Sequence, residues 1–366
     1  MNETTLAAKK AASLVSKTLE AVGLNRDKQT SNIKSDEELV FFNTCAWLDQ
    51  KTKQWNIPIH GWVFEPQSSW ALRTFVGELL ERKYGLKASE DTKATFKRRM
   101  SLFTADNERS KRVIIELKGQ LYELPKSAPN GQFEGIIKIP SAKIRANKQG
   151  LVDFKAILRA RDNRSFGGSV AMLKPTGVSV ISDIDDTVKV SYISDRKRMF
   201  DAAFYQDFEA VKGMPNLYQN WSKQGADFHF VSSSPWQLYQ PLAEFAEGFD
   251  FPRASFSLKK IRMKDETFLN LFKSGLVTKP IAIRTILDRY PSRKFVLVGD
   301  SSEQDPQAYA MIAREYPTQI AKIIIRNVHA DKSLNEQYKS IFEGLSRRLW
   351  TTFIYPSQIK LDISKV

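Results

Sequence analysis

Apolar residues recur first at helical spacing. Ala7, Ala11, Leu14, Val15, Thr18 and Val22 predict one amphipathic helix over residues 5–22, with Lys9, Lys10 and Lys17 on its remaining surface and Gly23 as its stop. Such a helix either lies on a membrane surface or packs on its own domain. Residues 25–37 are polar and read as a linker. From residue 38 the pattern turns to short β-favouring runs: Leu39 to Leu48, Asn56 to Val63, Arg112 to Tyr122, Phe133 to Ile139 and Val152 to Ala160. The stretch Ala128-Pro129-Asn130-Gly131 carries an Asn-Gly turn between two of them. One helical piece, Ser69 to Arg82, interrupts the strands, and Lys97-Arg98-Arg99 form a basic run that reads as a solvated face. The expectation for 38–176 is an antiparallel, sandwich-like β-rich domain.

After Lys174-Pro175-Thr176-Gly177 the pattern changes again. Fully apolar strands (Val178 to Ile181, Phe228 to Val231, Ala254 to Leu258, Phe295 to Val298, Ala321 to Ile325) alternate with helical stretches. The helices are placed at Met199 to Val211, from Trp236, near Glu266 to Phe272 and at Ile281 to Tyr290. Alternation of this kind predicts an α/β domain over 177–366 with a parallel sheet covered on both faces. Ligands in such folds sit at the carboxyl ends of the strands.

Composition narrows the class. Of 366 residues 42% are hydrophobic and 27% charged, which excludes disorder throughout. No run of about 18 apolar residues exists, so no transmembrane helix is expected. Residues 1–24 carry lysines where a secretory signal needs its apolar core, and the single Cys45 cannot form an internal disulfide. A cytoplasmic address follows as the expectation. Residues 1–176 hold 30 Lys/Arg against 19 Asp/Glu, a net +11, while 177–366 hold 26 against 22, a net +4. The excess points to a polyanionic partner: nucleic acid, an anionic membrane or a phosphorylated substrate.

The chemistry gathers at strand ends. Val178-Ser-Val-Ile-Ser-Asp183-Ile-Asp185-Asp186-Thr187 runs an apolar strand into three acids. Three buried like charges are costly unless a cation joins them, and hard carboxylate oxygens suit Mg²⁺. An acidic turn would give the same letters. Roughly 115 residues on, Phe295-Val-Leu-Val-Gly299-Asp300-Ser-Ser-Glu303-Gln-Asp305 repeats the theme and supplies further carboxylates. Phe228-His-Phe-Val-Ser232-Ser233-Ser234-Pro235 ends a strand on hydroxyls, with Pro235 placed to open a helix. Hydroxyls at a helix start bind phosphate, although an N-cap alone would account for them. Lys279-Pro280 opens a further helix, where a lysine can neutralise a carboxylate and a phosphoryl oxygen.

Taken in order, Asp183-Ile-Asp185-Asp-Thr187, Ser232, Lys279 and Gly299-Asp300…Asp305 resemble the four motifs of the haloacid dehalogenase superfamily of phosphohydrolases. More narrowly, Ser182 to Lys189, Phe228 to Leu238 and Val298 to Asp305 resemble the actin-patch type of magnesium-dependent phosphatidate phosphatase and its bacterial relatives. The narrower likeness covers about 178–330, and Gly61-Trp-Val63 and Asn130-Gly-Gln-Phe133 are similar to landmarks in its β-rich half. That family often has Asn where Ser233 stands, and its motif-three lysine could instead be Lys259 or Lys260; Lys279 is preferred because one helix separates it from the fourth strand.

The resemblance implies a Rossmann-like phosphatase domain. Asp183 would attack phosphorus and form an aspartyl-phosphate. Asp185 would protonate the leaving alkoxide and then activate water, with its pKa raised by crowding from Asp183 and Asp186. Asp183, Asp185 through its carbonyl, and Asp300 would hold Mg²⁺, with Asp305 or Glu303 nearby. Ser232 and Lys279 would clamp the phosphoryl oxygens. No organic cofactor is implied. About 40 residues separate Thr187 from Phe228 and about 44 separate Pro235 from Lys279, too few for a large cap, so an open site facing a bulky or surface-bound substrate is expected. The leading expectation is a phosphatidate phosphatase at an anionic phospholipid membrane, docked through Lys9, Lys10, Lys17, Lys97, Arg98 and Arg99. Two other readings stand beside it: a phosphatase of phosphoproteins or nucleic-acid ends, and a non-catalytic scaffold of the same fold. No zinc finger, RNA-recognition signature or aromatic-interleaved basic stripe favours nucleic acid. The sequence leaves the oligomeric state open.

Overall fold

The structure, a computed structural model, describes residues 19–20, 22–24, 30–66, 70–260, 278–331 and 333–366. They fall into two compact units, one spanning residues 1–65 and 106–174, the other 66–105 and 175–366.

In the first unit the strands are β1 Leu19–Glu20, β2 Val22–Leu24, β3 Glu38–Phe41, β4 Thr44–Asp49, β5 Gln54–Glu65, β6 Asp106–Asn107, β7 Ile114–Leu117, β8 Gln120–Glu123, β9 Gln132–Pro140, β10 Leu151–Ala156 and β11 Gly167–Met172. They pair in the order β1-β9-β5-β4-β11-β10-β7-β8-β2, with β3 and β6 also on β5. Pairing is antiparallel except at β1/β9 and β4/β11. Strands distant along this order share a core: Phe41 of β3 meets Phe133 of β9 at 5.9 Å and Phe154 of β10 at 4.8 Å, both edge to face. Alternate residues of β9 and β10 turn inward to a shared core with Ile57, Ile115 and Val170. The sandwich-like β-rich half is therefore as expected. The two landmark segments lie side by side, with Gly61 opposite Phe133 and Trp62 opposite Gln132. Gly131 has φ +74° and its amide neighbourhood is filled by Val63 O and the Trp62 ring, so a side chain there would overlap the neighbouring strand. Leu39 to Leu48 proves to be two strands, and Leu19, Glu20 and Val22 lie in strands where the periodicity predicts helix; the rest of that predicted helix, with Lys9, Lys10 and Lys17, lies outside the described residues.

The second unit contains α1 Trp70–Tyr84, α2 Lys93–Thr104, β12 Val178–Ser182, α3 Arg196–Phe204, α4 Met214–Lys223, β13 Asp227–Pro235, α5 Tyr239–Gly248, β14 Ala254–Lys259, α6 Thr278–Arg289, β15 Lys294–Asp300, α7 Asp305–Glu315, β16 Ile320–Arg326, α8 Leu334–Ile341 and β17 Trp350–Phe353. Six strands form an all-parallel sheet in the order β14-β13-β12-β15-β16-β17. Numbered by sequence this is 3-2-1-4-5-6, and its switch point lies between β12 and β15. Every residue of β12, and all of β15 after Lys294, is buried, as a sheet covered on both faces requires. The predicted helix near Glu266 lies outside the described residues.

The segment 66–105 corrects the expectation of one continuous β-rich domain over 38–176. Its helices join the α/β unit because α2 offers Phe96, Met100 and Phe103 at i, i+4 and i+7, and these are buried. Phe96 stacks on Tyr205 at 4.7 Å, Phe103 meets Phe204 at 5.4 Å and Tyr84 meets Phe200 at 5.2 Å. The basic run on α2 is not uniformly solvated either. Arg99 is 1% exposed and donates to the carbonyls of Ala202 and Ala203, and Arg98 pairs with Glu244 at 2.7 Å; Lys97 alone of the three is exposed without a described ionic partner. Arg99 is thereby removed from any membrane-docking set.

A buried guanidinium fixes the base of the sheet. Arg293 donates to the carbonyls of Thr176 (3.0 Å) and Val178 (2.7 Å), to Ser179 Oγ (3.0 Å) and to the Asp227 carboxylate, so it ties the starts of β12 and β13 together. Arg293→Met is expected to destabilise the chain by about 3 kcal/mol, because the carbonyls and Asp227 lose their donor. Urea unfolding measures this, and a loss below about 1 kcal/mol would contradict it. Among the described residues no helix is long and apolar enough to cross a membrane.

Candidate active site

Three strand ends converge. Asp183 follows β12 directly, and its N–H donates to Val298 O of β15 at 2.9 Å, which holds the acid over the switch point. β15 ends on Gly299-Asp300, and a turn then delivers Asp305 at the start of α7. Gly299 is required there: a Cβ would overlap the Asp305 carboxylate. Asp305 Oδ2 in turn accepts the Asp300 N–H at 3.2 Å. Carboxylate oxygens of Asp183, Asp300 and Asp305 lie within 4.8 Å of one another, and all three residues are buried.

Lys279, on the first turn of α6, answers this charge. Its Nζ lies 2.8 Å from Asp183 Oδ1 and 2.6 Å from both Glu303 Oε2 and Asp305 Oδ1. Burial works against its charge, but the three carboxylates outweigh burial and raise the ammonium pKa well above its usual range. One cation does not neutralise the set. Burial, together with mutual repulsion that Lys279 only partly offsets, raises the Asp183 and Asp300 carboxyls well above the ordinary carboxylate value, and burial raises Glu303. Thr187 Oγ1 sits between Asp183 Oδ2 (3.3 Å) and Asp300 Oδ2 (3.4 Å) and can donate to either.

Asp185 lies on another side of this cluster. Lys189 Nζ (2.9 Å) and Ser191 Oγ (2.8 Å) hold its Oδ1. Ser232 Oγ (2.9 Å) and Ser234 Oγ (2.6 Å) hold its Oδ2. Burial would raise this carboxyl, yet Lys189 and the hydroxyls bring it down to about 2. The expectation of a raised Asp185 pKa from crowding is thus corrected, because its neighbours are donors, not acids. Asp186 does not crowd it. Asp186 has φ +53°, and its carboxylate accepts the N–H groups of Ser191 (2.9 Å), Tyr192 (2.9 Å) and Ile193 (2.7 Å). It folds the loop that returns Ser191 to Asp185.

Ser232 and Ser234 alternate along β13 and so share a face, while Ser233 points elsewhere; Ser233 Oγ and Ser302 Oγ are buried without a hydrogen-bond partner among the described residues. Pro235 ends β13 and precedes a single 3₁₀ turn at Trp236–Leu238, so α5 begins three residues later than the expected start at Trp236. Tyr218 OH donates to Ser182 Oγ (2.7 Å), which donates to the Asp183 carbonyl (2.6 Å), and so steadies the turn after β12. The structure therefore brings together Asp183, Asp185, Ser232, Lys279, Glu303, Asp300 and Asp305. Lys279 is the lysine that reaches Asp183; Lys259 ends β14 and Lys260 follows it. Lys189, Ser191 and Ser234 were not singled out from the sequence.

The arrangement offers a carboxylate beside a fixed cation, a hard-oxygen cradle, and a second carboxylate gripped by hydroxyls. Comparison with known proteins agrees with it. Residues 178–327 match the family described as the catalytic domain of phosphatidate phosphatase APP1. Among curated proteins, phosphatidate phosphatase APP1 of Saccharomyces cerevisiae is 35% identical over 158 residues, 42% of this chain and 26% of the yeast protein. An uncharacterized protein of Schizosaccharomyces pombe is 31% identical over 171 residues, 46% of this chain and 28% of that protein. The chain spans about a quarter of the length of the curated relatives it matches. Every site residue named above lies within residues 178–327, the stretch that matches that family.

Proposed function

We propose that this protein is a magnesium-dependent phosphatidate phosphatase that cleaves a lipid phosphate monoester through an aspartyl-phosphate. The observation that carries the reading is the joint placement of Asp183 beside Lys279 and within a buried triad with Asp300 and Asp305. Those three carboxylates are hard oxygen donors, too many for Lys279 alone to neutralise, and they fit Mg²⁺. Bound there, the ion would neutralise phosphoryl charge.

In the first step a carboxylate oxygen of Asp183 attacks phosphorus, and the bond from phosphorus to the glycerol oxygen breaks. That oxygen leaves with the electron pair and takes a proton from Asp185, giving diacylglycerol. Lys279 meets the charge on Asp183 and the phosphoryl oxygens. Ser232 leaves Asp185 to hold a phosphoryl oxygen, so Asp185 loses one of its four donors as the substrate dianion arrives. Both changes raise its affinity for a proton, which the resting site keeps low, and Asp185 takes that proton from solvent as the substrate binds. In the second step Asp185, now ionised, takes a proton from water as the water oxygen attacks phosphorus. The phosphorus–Asp183 bond breaks, phosphate departs and both carboxyls return to their starting states.

The segment from Thr187 to Phe228 contains two short helices, α3 and α4, which supports access for a substrate embedded in an anionic lipid surface. The test is phosphate release from phosphatidate vesicles, lysophosphatidate, a phosphopeptide and a 3′-phosphorylated oligonucleotide, with and without Mg²⁺. Phosphatidate is expected to turn over fastest, and only with the ion. Faster release from the peptide or oligonucleotide would replace the lipid reading, and no release from any of them would favour the scaffold.

A further inference from the structure

We propose that Lys189 is a positioning residue for the proton-transferring carboxylate of Asp185, and that Arg99, from the helical pair at 66–105, sets Lys189 through the ring of Phe208. The inference rests on the proposed phosphatase reading but assigns residues that reading does not use. Arg99 moreover lies far outside residues 178–327, the part of the chain that matches the known catalytic domain.

The carboxylate of Asp185 is divided between two pairs of donors. Its Oδ2 faces Ser232 and Ser234, on the side where the phosphoryl group is held in the proposed reaction. Its Oδ1 faces Lys189 and Ser191 and takes no other role. When Ser232 turns to the substrate, Oδ2 becomes the working oxygen with Ser234 still on it, and the grip of Lys189 and Ser191 on Oδ1 keeps the carboxyl plane aimed. Lys189 Nζ also contacts Ser191 Oγ, so one ammonium fixes both members of that grip. Proton transfer depends steeply on such aim, because donor and acceptor must meet at hydrogen-bond distance.

Lys189 is itself held. It is 3% exposed, and burying an ammonium with a single carboxylate is costly compared with an apolar residue of the same size. Its Nζ lies 4.8 Å from the centre of the Phe208 ring. The Arg99 guanidinium lies 3.7 Å from the centre of the same ring. Arg99 is anchored in turn by the carbonyls of Ala202 and Ala203 near the end of α3, at 3.0 and 2.8 Å. The backbone completes the clamp: Val190 N–H donates to Glu209 O and Val211 N–H to Val188 O, so the strand-like segments bearing Lys189 and Phe208 move together. A contiguous path of contacts thus runs from α2 to the carboxylate that handles the proton.

The experiment compares two substrates by kcat/KM, which reports events up to departure of the leaving group. Lysophosphatidate loses an alkoxide that needs a proton, whereas p-nitrophenyl phosphate loses an anion that leaves without one. In Lys189→Met, kcat/KM on lysophosphatidate is expected to fall by about 10²-fold and on p-nitrophenyl phosphate by less than about tenfold. Lys189→Gln, which keeps a donor, should recover at least part of the difference. Arg99→Met should show the same bias at about tenfold, with Arg99→Lys restoring it, and Asp185→Asn sets the largest bias the site can give. Equal losses on both substrates, or no loss, would overturn the inference and leave the proposed reaction untouched. Wild-type chain inactive on both substrates would strike the reaction itself. Far-UV circular dichroism identifies a variant that fails to fold; should Lys189→Met do so, Lys189→Gln and the Arg99 pair decide by the same ratio.

Discussion

Asp183→Asn is expected to reduce turnover below about a thousandth of wild type while the fold survives. The activity term follows from chemistry: an amide oxygen cannot form the covalent intermediate, and removing a nucleophile from a site whose parts act as a unit removes most of the catalysed rate. The stability term follows from the position of the residue. Asp183 is fully buried among Asp300, Asp305 and Glu303, and burial with those neighbours already disfavours its charge. An isosteric neutral amide relieves repulsion, while Lys279 keeps Glu303 and Asp305 as partners at 2.6 Å each. The variant should therefore match or exceed wild-type stability without metal, within about 1 kcal/mol by urea unfolding. Phosphate release from phosphatidate reads the first term. Activity above about 1% of wild type would remove Asp183 from the role of nucleophile, and an unfolded variant would show that the carboxylate is a structural anchor.

Much of this site is legible in the sequence because apolar strands that run into acids have few physical explanations. Val178 to Ser182 is wholly buried, so whatever follows it starts inside the protein, and Asp183 cannot be a solvated turn residue. The same holds for Asp300 after Val298-Gly299. Lys279 is different: by itself it reads as a surface lysine, and only the order of motifs singled it out. Ser234 is legible through Ser232, since a strand places i and i+2 on one face. Asp186 is not, because its part depends on φ +53° and on a loop that closes around it. Arg99 departs from the solvated face that its sequence neighbours imply for a definite reason. Three consecutive basic residues look solvated, but on a helix they fan out over 200°, and Arg99 falls beside Phe96, Met100 and Phe103 on the buried side. Charge runs count residues, whereas burial follows the face they occupy.

Addition of Mg²⁺ is expected to raise the melting temperature by about 5–10 °C at saturation, and Asp300→Asn to abolish that response. A ligand at 100 times its dissociation constant contributes about 2.7 kcal/mol, and each kcal/mol is about 2–4 °C for a unit of this size. The dependence on pH has a definite sign. Asp183 and Asp300 have folded-state pKa values raised above those of the unfolded chain, mainly by burial. Their contribution to stability is therefore full below the unfolded carboxylate value, about 3.9, and is lost as pH rises through the folded values. Without metal the chain should melt lower at pH 8 than at pH 5, as far as these groups decide it. A cation replaces the protons, so the Mg²⁺-induced shift should be larger at pH 8 than at pH 5. Asp300→Asn removes one of the three carboxylates within 4.8 Å and should melt higher than wild type at pH 8 without metal, since less charge is buried. It should also lose phosphatase activity at every Mg²⁺ concentration tested. Thermal melts of the full chain at both pH values, with chelator and with Mg²⁺, measure all of these. Equal Mg²⁺ shifts in wild type and Asp300→Asn, or full activity in chelator, would show that Asp183, Asp300 and Asp305 do not hold the ion, and that Lys279 carries the neutralisation of the phosphoryl group alone.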